Sequence, residues 1–428
     1  MSQIAISVLN SLPNGGLEMH PALAQFRHPG VTESPRCAGD LCQEVPAIDA
    51  DDPNSLAMEI FYSRSDMVSL AVVEEDRPIG LINRDILLSQ MSKPFHRELY
   101  GKKSCIAFMD KEPLIVDASM SIEALTFKTA EAGNKALTDG FVVTREGKFA
   151  GLGSGSHLLG AVAQMQAEKN RQIMQSIEYA SVIQQAMLRV SRDTLSSILP
   201  DASLVWEPRD VVGGDFYHFA SFPDGWFGAV ADCTGHGVPG AFMTLLASSS
   251  LSQALEKIGP RNPAALLAAV NRNVKSLLGQ VDKSGVLPQS NDGLDAIFFW
   301  FDAEQRQLLF SGARIALHVL RSGAEQFESI SGERMGVGYV DSLADYEWTL
   351  NTLTLPHDSL LFVSTDGLID QIGGPKRISF GKRRALSHIV KNQTQSLSGI
   401  CDGLQRELAE WQGTQGRRDD VTLFFARV

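Results

Sequence analysis

Hydrophobic and polar positions fall into three regimes along the chain. In residues 44–163, short apolar runs alternate with helical spacings, and the pattern occurs twice. The first round runs from Ile48-Asp49 through a helical stretch (Leu56, Ile60, Phe61) to the strand Leu70-Ala71-Val72-Val73. A turn at Asp76-Arg77-Pro78 leads to Ile79-Gly80-Leu81-Ile82. The second starts at Val116-Asp117 and continues with Ile122, Leu125 and Phe127. It closes with Gly140-Phe141-Val142-Val143, a Glu146-Gly147 turn and Phe149-Ala150-Gly151-Leu152. The offset is 68 residues between Ile48 and Val116 and 71 between Gly80 and Gly151. A near-constant offset marks one supersecondary unit used twice.

The second regime is helical. Val162, Met165, Ile173, Ile177, Ala180, Ile183, Met187 and Val190 recur mostly at spacings of three and four, which predicts an amphipathic linker over 164–199 with a candidate break at Lys169-Asn170. The remaining Gln164, Gln166, Glu168, Gln172, Gln175, Gln184 and Gln185 form its expected solvated face. A spacer and a two-chain coiled coil both fit the spacing.

The third regime, 200–428, mixes short apolar runs with longer helical stretches. Strands are predicted at 203–206, 226–231, 296–301, 308–310, 315–320, 360–364 and 421–425, and helices at 241–258, 263–278 and 397–411. Such an order predicts a layered α+β fold. Residues 1–43 are rich in Pro and Gly and predict a mobile arm.

Charge narrows the function. The formal net charge of −12 argues against a nucleic-acid binder or a protein docked on anionic lipid. No run of apolar residues is long enough to span a membrane, and the start lacks a secretory pattern. Five scattered cysteines (Cys37, Cys42, Cys105, Cys233, Cys401) predict reduced thiols and a cytoplasmic protein.

The candidate chemistry is acidic. Asp215 stands in Val212-Gly213-Gly214-Asp215-Phe216-Tyr217. Asp232 ends a strand and opens Asp232-Cys233-Thr234-Gly235-His236-Gly237. Asp366 follows Ser364-Thr365 and precedes Gly367, and Asp419-Asp420 precede Val421-Thr422. Carboxylates at strand ends beside glycine project into a cleft. Converging carboxylates repel each other and raise each other's pKa unless cations fill the site. All-oxygen donors select Mg²⁺ or Mn²⁺ over zinc.

These motifs, with Val238-Pro239-Gly240, resemble the SpoIIE-type branch of the PPM metal-dependent Ser/Thr protein phosphatases across residues 200–428. The resemblance implies an α-β-β-α sandwich and two divalent cations, Mn²⁺ or Mg²⁺. It implies that Asp232 bridges them with the Cys233 carbonyl on one, that Asp366 and Asp419 complete the pair, and that Asp215 contributes through water or to a further ion. A metal-bridging water would attack phosphorus directly. Where the family often carries a second acid three residues after the first, this chain has His218, read as lying outside the ligand set. His236 reads as a helix entry, and Arg209 as either a phosphate contact or a solvated side chain. The repeat over 44–163 resembles a tandem CBS pair, which implies a sensory or dimerisation module with a possible nucleotide in its cleft. Asn83, Asp85, Ser154 and His157 stand where the ribose-gripping pattern is distorted.

The expected protein is therefore a cytoplasmic phosphatase, expected to be a homodimer, acting on a phosphorylated regulatory protein. The resemblance points to an anti-sigma-factor antagonist of STAS-like fold. Two rivals remain: a catalytically silent nucleotide-sensing scaffold, and a metal hydrolase of small phosphoesters.

Overall fold

The first repeat folds as a three-stranded sheet of β1 (Ala47–Asp49), β2 (Ser69–Glu74) and β3 (Arg77–Asn83), with β1 parallel to β2 and β2 antiparallel to β3. This comes from a computed structural model, which describes residues 35–280 and 290–428. The second repeat copies the arrangement with β4 (Ile115–Asp117), β5 (Phe141–Arg145) and β6 (Lys148–Gly153). Both hairpins shift register at the equivalent place, Val72/Val73 and Val143/Thr144. A shared bulge is a designed bend in the strand, and its repetition makes the duplication structural as well as sequential. Each sheet packs its own helices, around Phe61 and Leu70 in one repeat and Ile122 and Phe141 in the other. Ala71, Leu81 and Val142 are buried together where the two sheets meet.

Most of the expected mobile arm, residues 1–34, lies outside the described residues. Its last part is a correction. Residues 38–41 form a 3₁₀ turn, with Ala38 buried against the second repeat. Gln43 and Leu152 exchange backbone hydrogen bonds of 2.8 and 3.0 Å.

A single helix, Gly155–Ile198, follows without a break at Lys169-Asn170. Contacts divide the chain into two compact units within this helix, after Gln172. In the second unit the buried positions are Ser181, Gln184, Leu188, Ser191 and Leu195. The expected apolar stripe is thus offset from the true packing stripe: Ile173, Ile183 and Val190 are exposed, and Gln184, expected in solvent, is buried.

The rest of the second unit is two five-stranded antiparallel sheets. One runs β14 (Asn351–Thr354), β11 (Gln307–Ala313), β10 (Leu294–Asp302), β9 (Gly225–Cys233), β8 (Asp215–Phe222). The other runs β13 (Glu328–Ile330), β12 (Leu317–Leu320), β15 (Leu360–Ser364), β18 (Val421–Arg427), β7 (Ala202–Glu207). Between β15 and β18 in sequence lie a short hairpin, β16 (Ile372–Gly373) and β17 (Ile378–Ser379), and a helix, Lys382–Lys391, that the sequence pattern did not predict. The sheets face each other across aromatic side chains. The Phe424 ring centroid lies 5.0 Å from that of Phe219 and 5.5 Å from Phe299, and Trp226 stands edge-on to Phe299 at 5.7 Å. Each such pair adds about 0.5–1.5 kcal/mol beyond the area it buries. Helices Gly237–Ile258 and Pro263–Leu277 pack with the first sheet, and Lys382–Lys391 and Leu397–Gln412 cover the second. The architecture is a mixed α+β, four-layered α-β-β-α sandwich. Among the described residues no helix is long and apolar enough to cross a membrane.

Candidate active site

Strand alternation sorts the acidic residues. In β8, β9 and β10 the register pairs Asp215 with Asp232 and Asp232 with Asp295. Cross-strand partners share a face. Phe219 and Phe299, on the same alternation as Asp215 and Asp295, pack against Phe424 of the opposite sheet. The three aspartates therefore point between the sheets, at one end of the sandwich. His218 lies one step out of this phase, facing the helices beside Phe227 at 6.3 Å. Burial pushes its pKa down to about 4, so it is held neutral. The structure does not bring His218 to the acidic cluster.

The second sheet supplies the other side. Asp366 follows β15 and opens a short helix, Asp366–Ile369, while Asp419 and Asp420 precede β18. Asp215 is buried between the sheets, where its Oδ2 accepts hydrogen bonds from Thr365 (2.8 Å) and Thr422 (2.7 Å). Its Oδ1 is buried with no protein partner. Burial raises Asp215 to about 8; the Thr422 hydroxyl opposes that rise and the Asp420 charge adds to it. Asp232 is pushed well above the usual carboxylate range, first by burial and then by the charges of Asp215, Asp366, Asp419 and Asp295. Asp366 rises to about 6 through burial and the charges of Asp419 and Asp370, against a hydrogen bond with Asp232. Four carboxylates thus bear on one central aspartate. Among the described residues, no three acidic, histidine or cysteine side chains stand in ready-made metal-cage geometry.

Asp420 acts on the backbone. Its Oδ2 accepts from Gly214 N–H (2.6 Å) and its Oδ1 from Arg209 N–H (2.5 Å). The Arg209 guanidinium donates to the Arg418 carbonyl at 3.1 Å, away from a phosphate role. The glycine at 214 is needed for space: a Cβ there would meet the Cys233 carbonyl at 2.8 Å. The Cys233 side chain alternates away from Asp232 and is buried among core residues, where desolvation raises its thiol pKa. His236 precedes helix Gly237–Ile258 at its N-cap and pairs with Asp210 at 2.7 Å.

Two residues at the cluster were missed from sequence. The predicted strand starts at Ala296, one residue after Asp295, and only the register of β9 with β10 makes Asp295 a neighbour of Asp232. Arg314 pairs with Asp295 at 3.3 Å. A pocket with a cavity of about 120 Å³ is lined by Asp232, Asp295 and Asp366 together with Arg314 and Lys382.

A family model described as stage II sporulation protein E (SpoIIE) matches residues 223–428. The solved SiaA-PP2C domain of Pseudomonas aeruginosa is 36% identical to this chain, with 61% of this chain and 99% of that domain covered and a TM-score of 0.55. The PP2C phosphatase domain of SpoIIE from Bacillus subtilis, with a fragment of its regulatory domain, is 16% identical, covering 53% of this chain and 63% of that one at a TM-score of 0.43. The RsbU and RsbW domains of Rv1364c from Mycobacterium tuberculosis are 19% identical, covering 54% and 60% at 0.42. A search of curated proteins finds no match.

Proposed function

The chain belongs to the SpoIIE-type PP2C phosphatases and is a phosphoprotein phosphatase; on that premise we propose that the acidic cluster is its binuclear metal site and that its substrate is a regulatory protein phosphorylated on Ser or Thr. The buried, unpartnered Oδ1 of Asp215 beside a set of mutually repelling carboxylates supports this reading most strongly. Hard divalent cations, Mn²⁺ or Mg²⁺, relieve that repulsion and suit an all-oxygen donor set. Asp232 would hold the cations, together with Asp366 and Asp419 from the opposite sheet. The Cys233 carbonyl stands next to Asp232 at the end of β9. Asp215, gripped by Thr365 and Thr422, fixes the rim and supports a further ion or an ordered water. When bound, such cations generate a nucleophilic water at neutral pH and neutralise charge growing on the phosphoryl oxygens. The protein's part is to converge carboxylates that the cations would keep ionised, and to hold the Gly213-Gly214 backbone still.

The substrate class follows from the resemblance to partner-switching phosphatases: an anti-sigma-factor antagonist or other STAS-like protein. The repeat over 44–163 serves as a CBS-like sensory module whose cleft takes a nucleotide. The exposed Ile173, Ile183 and Val190 offer an apolar edge for a homodimer. Assaying the full chain with Mn²⁺ on a phosphoserine protein and on p-nitrophenyl phosphate tests the reading. Preference for the protein supports it. Turnover of the small ester alone would favour a general phosphoesterase, and no turnover of either a silent scaffold.

A further inference from the structure

The pocket beside the carboxylates contains an arginine whose setting is built rather than incidental. Arg314 follows β11 with φ of +64°, a left-handed conformation that a non-glycine residue rarely adopts and that clusters at functional sites. Its backbone is held there by its N–H donating to the Glu333 carbonyl at 2.7 Å. The guanidinium is fixed on three sides. Nε donates to the Arg334 carbonyl (3.0 Å), Nη1 donates to Asp295 (3.3 Å), and the group lies over the Tyr339 ring at 4.7 Å. Tyr339 in turn donates its hydroxyl to the same Asp295 oxygen at 3.2 Å. Gly336 makes room for this stack. A Cβ there would fall 2.5 Å from the Tyr339 ring and 3.1 Å from Arg314 Cζ.

Asp295, the cross-strand partner of Asp232, therefore ties a preorganised guanidinium to the edge of the acidic cluster. Among the described residues Nη2 has no protein acceptor, and Arg314 lines the pocket together with Asp232 and Asp366. A planar guanidinium held by its other nitrogens suits a phosphoryl group, which it meets with parallel N–H donors.

Resting on the phosphatase reading above, we propose that Arg314 binds the substrate's phosphoryl oxygens and orients the group over the carboxylate cluster, with Asp295 and Tyr339 as its positioning residues. Lys382, which also lines the pocket, adds a second positive charge for the approaching anion.

The test uses the full chain, saturating Mn²⁺, a phosphoserine peptide and inorganic phosphate as the product-like probe. Arg314→Gln and Arg314→Ala should raise both KM and the inhibition constant for phosphate by about tenfold or more, the range of a lost hydrogen bond to a charged group. Arg314→Lys should fall between them and wild type, and Mn²⁺ half-saturation should stay unchanged. An unchanged phosphate constant in folded Arg314→Gln overturns the proposal. So does a parallel rise in Mn²⁺ requirement, which would place Arg314 in service of the metal cluster. If wild type does not hydrolyse the peptide, the phosphatase reading falls separately, and calorimetric titration of inorganic phosphate into wild type and Arg314→Gln still decides the role of Arg314.

Discussion

Replacing Gln184 should damage the catalytic domain from outside its sandwich. The side chain sits on helix Gly155–Ile198, is 3% exposed, and grips one glycine by both ends. Its Nε2 donates to the Gly213 carbonyl (2.7 Å) and to Thr244 Oγ1 (3.2 Å), and its Oε1 accepts from Gly213 N–H (3.2 Å). Gln184→Ala leaves the buried N–H and C=O of Gly213 without partners. Each orphan costs about 1–3 kcal/mol, so the loss is about 2–6 kcal/mol. For a domain of this size that corresponds to a fall in Tm of roughly 4–24 °C. Gln184→Glu keeps the shape but cannot donate to Gly213 or Thr244, and it buries a charge near Asp215, so it should be at least as harmful. All five tryptophans (206, 226, 300, 348 and 411) lie in the second unit, so fluorescence-detected melting of the full chain reads that unit alone. Mn²⁺ half-saturation should rise as well, because Gly213 leads through Gly214 into Asp215. Melting within about 2 °C of wild type for both variants, equivalent to under about 1 kcal/mol, would refute the reasoning.

Three further outcomes follow from the same geometry. In metal-free protein, Asp366 and Asp215 are raised to about 6 and about 8. Their stabilisation is complete below the unfolded carboxyl range and lost as pH rises through those values. Melting should therefore be higher at pH 5 than at pH 8, and Mn²⁺ should restore the loss at pH 8; the reverse order without metal would contradict the clustering. His218→Ala should lower stability through the space it empties yet leave Mn²⁺ half-saturation unchanged, and a rise matching that of an Asp232 variant would place His218 among the ligands. A fragment of residues 200–428 lacks the buried Ser181, Gln184, Leu188, Ser191 and Leu195 and should need more Mn²⁺ than the full chain, whereas 173–428 should not. Superimposable titrations of all three would rule out a role for the helix in setting the site.

What was legible in the sequence is what local pattern encodes. The duplicated strand–helix unit, most strands of the sandwich and the strand-end aspartates are all written in short windows. What escaped depends on partners distant in sequence. β8 hides its alternation because both its faces are buried, with Phe216 on one and Tyr217 and Phe219 on the other. Helix Lys382–Lys391 buries little beyond Ala385 and Ile389, so its apolar signal is thin. Gln184 reads as solvated in any one-helix view; it is buried because Gly213 and Thr244, 29 and 60 residues away, need its amide. Asp295 and Arg314 become site residues only through the register of β9 with β10 and the loop carrying Tyr339.

Phosphate release from a phosphoserine peptide, titrated with Mn²⁺ for wild type and Asp232→Asn, bears directly on metal-dependent chemistry at this cluster. Asparagine mimics the protonated carboxyl that the metal-free cluster favours, so the variant should fold and melt like wild type while its kcat drops by far more than tenfold. A folded Asp232→Asn protein that kept over about a tenth of wild-type kcat, a barrier change under about 1.4 kcal/mol, would contradict the assignment of Asp232 as the central ligand.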